Sequence, residues 1–242
     1  MGDTIAAIAT PQGEGGIGIV RISGDDSLNI MKKILRPYPA EVKPRYAYYG
    51  NIVNPENENV IDEAICLYMK APHSYTCEDV VEIQAHGGIV SIRLILRTVL
   101  DCGARMAEPG EFTKLAFLNG RMDLMQAEAV VDVIDAETAQ AARNAAGQLD
   151  GALSRTVQAV YDTLMDVTSR FYAIVDYPDE DIEDLNRTQL LDALGRSEAS
   201  LAALLDTYSR GQVLKNGVPT VLLGKPNVGK SSLLNALVGY DR

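Results

Sequence analysis

The chain has 242 residues, a formal net charge of -11, 47% hydrophobic and 23% charged residues, no Trp and 11 Tyr. This is the composition of a folded chain with one large or two ordinary domains. Its acidic balance excludes nucleic-acid binding by bulk charge, because phosphate contacts need Lys and Arg.

Residues 1–118 read as mixed α and β. Thr4–Thr10 and Ile17–Ile22 are short β-branched stretches separated by glycines, and both predict strands. Gly13-Glu14-Gly15-Gly16-Ile17-Gly18 formally matches GxGxxG after a strand. A dinucleotide site needs a helix next. The β-branched run that continues to Ser23 and Gly24 predicts strand–turn–strand instead. Met31–Leu35 predicts a short helix, broken afterwards by Pro37, Pro39 and Pro44. Tyr46–Val53, Ala64–Met69 and Val80–Ala85 predict further strands, and the almost continuously apolar residues 89–100 predict a buried helix capped by Gly103.

From Asp123 the pattern turns helical. Leu153, Val157, Val160, Leu164, Val167, Phe171 and Ile174 alternate spacings of four and three, which draws one apolar stripe along a helix ended by Pro178. A second run carries Leu190, Leu191, Leu194, Leu201, Leu204, Leu205 and Tyr208 and is expected to stop at Gly211. Two such helices imply an α-helical bundle over 119–215, with stripes buried against each other or against helices outside this chain. Cys66, Cys77 and Cys102 form no CxxC pair and read as reduced thiols of a cytoplasmic protein. The N-terminus lacks a signal-peptide pattern, and no apolar run is long enough to span a membrane.

The last stretch is the most specific. Val218–Leu223 predicts a short buried strand, which runs into Gly224-Lys225-Pro226-Asn227-Val228-Gly229-Lys230-Ser231-Ser232 and then into the helical Leu233–Leu237. This is the strand–loop–helix setting of a phosphate-binding loop, here the start of a P-loop α/β nucleotide domain over 216–242. Gly224 and Gly229 permit backbone angles that a Cβ obstructs, so the loop N–H groups can cradle phosphate oxygens. Lys230, the one catalytic candidate, reaches the β- and γ-phosphates, and Ser231 offers its hydroxyl to Mg²⁺. The loop interior resembles the first motif of translation-factor-class GTPases of the Era and TrmE kind. The resemblance implies the start of a P-loop α/β GTPase domain, with Asn227, Val228, Gly229, Lys230, Ser231 and Ser232 as the candidate GTP contacts. No Asn-Lys-x-Asp for guanine selection occurs, and no switch Asp-x-x-Gly follows the loop. This chain alone is therefore expected to turn over no GTP, and it reads as a truncated portion of a longer protein.

Four further blocks keep one order. They are Ala9-Thr10-Pro11 with Gly15–Gly24; Ser74–Glu82 followed by His86-Gly87-Gly88; Pro109–Thr113 with Ala116–Leu124 and Gln126–Ala129; and Asp176–Glu180. With the phosphate loop they resemble the tRNA-modification GTPases of the MnmE (TrmE) family along the whole chain. The resemblance implies an α+β N-terminal domain over 1–118 that dimerises and binds 5-formyl- or 5,10-methylene-tetrahydrofolate. It also implies a helical domain and an inserted GTPase domain. With an FAD-dependent partner (MnmG, also called GidA), such proteins modify C5 of the wobble uridine U34 in certain tRNAs, which they meet mainly through the complex. A folate-binding dimeric scaffold without GTPase activity is the alternative for a chain of this extent. One departure is Glu108, where the family usually carries Arg.

Matched block by block, the resemblance puts folate contacts at Arg21, Glu78 and Arg121, and a K⁺ site beside the nucleotide phosphates at Asn227. The chemistry suits these positions. A pterin presents an amino group and a ring N–H side by side to a carboxylate such as Glu78, and an arginine fork suits carboxylates or a ring carbonyl. The sequence leaves open which arginine does which. His86 reads as a histidine held by backbone hydrogen bonds in a turn, with use as a base the lesser reading. Cys77 reads as a small space-filling residue, and the acidic run Asp176, Asp179, Glu180, Asp181, Glu183 and Asp184 as a solvated loop.

Overall fold

The computed structural model describes residues 3–11, 13, 15–177 and 187–239. These fall into two compact units, Met1–Val131 with Ala146–Ser154, and Asp132–Ala145 with Arg155–Arg242.

The first unit is built on strands β1 (Ile5–Ile8), β2 (Ile17–Ser23), β3 (Leu35–Arg36), β4 (Ala47–Val53), β5 (Val60–Met69), β6 (Val80–His86) and β7 (Arg105–Met106). They form one sheet in the order β3-β4-β5-β6-β2-β1-β7. All neighbours are antiparallel except β1 and β7, which run parallel. Side chains alternate faces along a strand, and the registers Arg21↔Glu82 and Val20↔Ile83 set which residues share one. One face presents Val20, Ile22, Cys66, Val81 and Ile83, all fully buried. Helix α1 (Ser27–Ile34) and helix α2 (Ile89–Asp101) cover it. They contribute Ile30, Met31, Ile34, Ile92, Ile95 and Val99 to the same core cluster. At roughly 1.5–3 kcal/mol per buried large aliphatic side chain, this layer is the main source of the unit's stability. The opposite face carries Arg21 and Glu82, and it is the floor of the candidate site.

The glycine-rich segment before β2 leads into a strand, as expected, and no helix follows it. Helix α3 (Glu111–Leu118) is not foreseen by periodicity. Its start is fixed instead by an ion pair. Arg105 at the sheet edge donates from both terminal nitrogens to Glu111, at 3.0 and 2.6 Å. Hydrogen bonds from Arg105 outweigh burial and hold the Glu111 carboxyl at about 2. That contribution is present above the ordinary glutamate value and is lost as pH falls towards 2.

Helices α4 (Leu124–Ile134), α5 (Ala139–Leu149), α6 (Ala152–Asp176) and α7 (Arg187–Asn216) make up the helical segment. The expected stop at Gly211 is corrected: α7 runs through it and ends at Gly217, whose φ is +69°. A mid-helix glycine costs only about 1 kcal/mol, whereas the left-handed position favours glycine outright. The two stripes are covered only in part. Val160 is buried on α6, but Phe171 is 55% exposed and Leu205 on α7 is 73% exposed. Pro178 and the acidic run from Asp179 to Asp184 lie outside the described residues. Val218–Leu223 also differs from expectation. It is irregular chain, and Leu223 is 89% exposed. Among the described residues no strand lies beside it, and an extended segment becomes a strand only when a neighbour takes its ladder bonds. Helix α8 (Lys230–Val238) does form, where the glycine loop predicts a helix start. No helix of the described residues is long and apolar enough to cross a membrane.

Candidate functional site

Strand pairing places Arg21 directly opposite Glu82. The Arg21 Nε donates to Glu82 Oε1 at 2.9 Å, and a terminal nitrogen lies 2.9 Å from the same oxygen. The Arg21 guanidinium also lies 5.2 Å from the Tyr75 ring centroid and 5.6 Å from that of Phe112 on α3. Two residues on, and so on the same face, Ser23 donates to Glu78 Oε2 at 2.8 Å and accepts from the Thr76 hydroxyl at 2.6 Å.

Tyr75, Thr76 and Glu78 belong to the loop that enters β6. Asp79 anchors this loop: its carboxylate accepts from the Tyr68 hydroxyl and the Ala71 N–H, and its carbonyl accepts from the Gly24 N–H, each at 2.9 Å. Burial, with the Asp79 hydrogen bond, pushes the Tyr68 hydroxyl up to about 12. Cys77 turns the loop at φ +60°, a left-handed angle that few residues other than glycine adopt. The space-filling reading of Cys77 thus omits its backbone role.

The segment after α3 closes the other side. Asn119 donates to the Thr76 carbonyl at 2.6 Å, and Arg121 donates to the Tyr75 carbonyl at 2.8 Å with its guanidinium 4.7 Å from the Tyr75 ring centroid. The Tyr75 hydroxyl bonds Thr113 of α3 at 2.9 Å. Arg21, Glu78 and Arg121, far apart in sequence, thus meet around one loop. Sequence reading named those three but missed Tyr75, Ser23 and Glu82, which hold them. The strand register through Arg21 and the aromatic inside the Ser74–Glu78 block were the available signals. A cavity of about 340 Å³, lined by Ile8, Thr10, Gly18, Gly87, Ile92 and Arg93 among others, lies elsewhere in this unit, and none of the three candidates lines it. Glu108 enters through its backbone, whose N–H donates to the Glu111 carboxylate at 2.7 Å and whose carbonyl accepts from the Glu111 N–H at 3.1 Å, while its side chain is exposed.

His86 departs from expectation. Its Nδ1 bonds the Asp62 carboxylate at 2.7 Å, and Asp62 also accepts from Ser91 at 2.6 Å. A neighbouring strand supplies a carboxylate where a backbone-held turn histidine was expected. The Asp62 hydrogen bond raises the histidine above its ordinary value. For Asp62, burial pushes upward, but the bonds from Ser91 and His86 prevail and leave its carboxyl lowered. The histidine's share of stability is therefore full below its unfolded pKa and fades as pH rises through the raised one. The aspartate's share is present above its unfolded pKa and fades as pH falls through the lowered one. Asp62→Asn is expected to bring the His86 titration, followed by NMR, back down towards its ordinary value; an unchanged midpoint would remove the pair.

In the second unit, Asn227 at φ +59° and Gly229 at φ +90° turn the backbone into α8. The Lys230 ammonium reaches back across the loop and donates to the carbonyls of Gly224 and Lys225, at 2.9 and 2.7 Å. A Cβ on Gly224 would meet Val228 at 3.2 Å, so the loop closes tightly at that point. Ser231 and Ser232 are exposed on the first turn of α8. Among the described residues no cluster of three or more His, Cys, Asp or Glu could hold a metal.

These features define a class: an α+β unit with a charged loop site on its open sheet face, followed in the chain by helices and a glycine-turned loop at a helix start. Residues 4–121 match the family described as "GTP-binding protein TrmE N-terminus", and residues 124–233 match the "MnmE helical domain". The chain is 49% identical over 99% of its length to the tRNA modification GTPase MnmE of Thermoanaerobacter pseudethanolicus, of which that stretch covers 53%. It is 48% identical to that of Clostridioides difficile (99% of this chain, 53% of the relative) and 45% identical to that of Heliobacterium modesticaldum (100% and 53%). The chain belongs to the MnmE (TrmE) family. It spans about half the length of the curated relatives it matches.

Proposed function

We propose that this chain carries the folate-binding and helical portions of a GTP-hydrolysing protein that modifies C5 of the tRNA wobble uridine U34, drawing its carbon from a tetrahydrofolate. The observation that carries the reading is the meeting of Arg21, Glu78 and Arg121 around the Tyr75 loop. Glu78 Oε2 accepts from Ser23, which orients the carboxylate, and the lone pairs left on its two oxygens suit the paired N–H groups of a pterin. The division is 1–118 for the folate-binding domain, 119–215 for the helical domain and 216–242 for the start of the GTPase domain. Asn227 to Ser232 hold GTP, with Ser231 on Mg²⁺ and Asn227 on K⁺. When bound, the cations supply positive charge to the phosphates, and Lys230 adds its ammonium. The protein works as a homodimer through its N-terminal domain, together with an FAD-dependent partner of the MnmG kind, and it meets tRNA mainly in that complex. The net charge of -11 suits this, since isolated acidic chain holds phosphate poorly.

Calorimetry of this 242-residue chain with 5-formyltetrahydrofolate is expected to show binding; no heat across the micromolar range overturns the folate reading. The nucleotide half is tested on a chain extended through a full GTPase domain. Turnover is expected to be faster in potassium than in sodium, and equal rates would remove the role given to Asn227.

A further inference from the structure

The two arginines of the site are not equivalent. Arg21 sits in the sheet register opposite Glu82, with its Nε and one terminal nitrogen directed at a single Glu82 oxygen. Its side chain is 26% exposed and that of Glu82 only 14%. Two aromatic rings, Tyr75 and Phe112, lie against its guanidinium. If Arg21 turned to a ligand carboxylate, Glu82 would be left largely covered and without its partner, the costly way to break an ion pair.

Arg121 has the opposite character. It is exposed, and the described residues give it no carboxylate partner. One of its N–H donors is fixed on the Tyr75 carbonyl, and its guanidinium carbon lies over the Tyr75 ring, 4.7 Å from the centroid. The rest of the fork is therefore oriented in advance yet uncommitted, which is the condition for strong, directional capture of a carboxylate.

We propose that Arg121, and not Arg21, selects ligands by the carboxylates of their glutamyl tail, and that Arg21 is a fixed wall of the site. This rests on the folate reading above and divides the labour within it. Glu78 takes the pterin edge, Arg21 with Tyr75 and Phe112 bounds the body of the ligand, and Arg121 reads the anionic end.

The test compares 5-formyltetrahydrofolate with its bis-amide, which keeps the pterin, ring and chain but not the two tail charges. The 242-residue chain is expected to prefer the dianion by at least tenfold. Arg121→Gln should bring the affinity ratio to within threefold of unity, and Arg121→Lys should restore part of it. Arg21→Gln should weaken both ligands and keep the ratio within twofold of the parent. Equal binding of the two ligands by the parent chain overturns this division and leaves the folate reading standing. A ratio that survives Arg121→Gln, or collapses in Arg21→Gln, overturns it as well. Binding of neither ligand overturns the folate reading itself, and the division with it.

Discussion

Glu78→Ala is expected to weaken binding of 5-formyltetrahydrofolate by tenfold or more, about 1.4 kcal/mol at the least. Glu78 is half-buried in a loop whose shape is set by several independent ties. The Thr76 hydroxyl feeds Ser23, Ser23 feeds Glu78, and the Ser74 hydroxyl holds the Glu78 carbonyl. Such a carboxylate is oriented before a ligand arrives, so its loss removes charge-assisted bonds without releasing ordering entropy in return. Ser23→Ala should give the same defect in smaller measure, because it leaves the carboxylate in place but frees its rotation. Calorimetry separates the two. Glu78→Ala binding within twofold of the parent would take Glu78 out of the site.

Gly24→Ala is expected to destabilise the first unit by about 3 kcal/mol, from a strained backbone of roughly 1–3 kcal/mol and a packing clash of similar size. Gly24 has φ +128°, and a Cβ there would stand 2.7 Å from Thr4 Oγ1 and 2.8 Å from Thr4 Cα. The Cα cannot rotate away, and Thr4 is itself buried at the start of the sheet. The same residue donates its N–H to the Asp79 carbonyl and follows Ser23, so the shift would reach the Glu78 loop. Gly103→Ala supplies the comparison: its φ is +120°, but nothing lies within 4 Å of the added methyl. Urea denaturation should show a clearly larger loss for Gly24→Ala. Equal losses would mean that the Thr4 contact is absorbed, and only the backbone argument would survive.

The legible parts of this fold were those with a strong local period. The strands around Ile17–Ile22 and Val80–Ala85 and the helix over 89–100 formed within a few residues of expectation, because β-branched alternation and a near-continuous apolar run report burial directly. Helix α3 was missed. Its first turn is tied to Arg105, six residues back and on the sheet edge, and periodicity records the spacing of apolar residues, not a charge pair. Val218–Leu223 shows the reverse failure: an apolar β-branched run makes no strand where nothing pairs with it.

His86 makes the same point at a functional scale. Its partner Asp62 lies 24 positions earlier and arrives through the β5–β6 pairing. Residue types alone determined much about this protein: its helical and strand-forming stretches, the glycine-turned loop leading into a helix, and the ordered blocks that mark its family. Only the tertiary structure decided that Arg21 is committed to Glu82 while Arg121 stays open, and that Tyr75 stands against both. The reason is physical: propensity and spacing are properties of neighbours along the chain, whereas the freedom of a charge depends on which distant group the fold brings within about 3 Å of it.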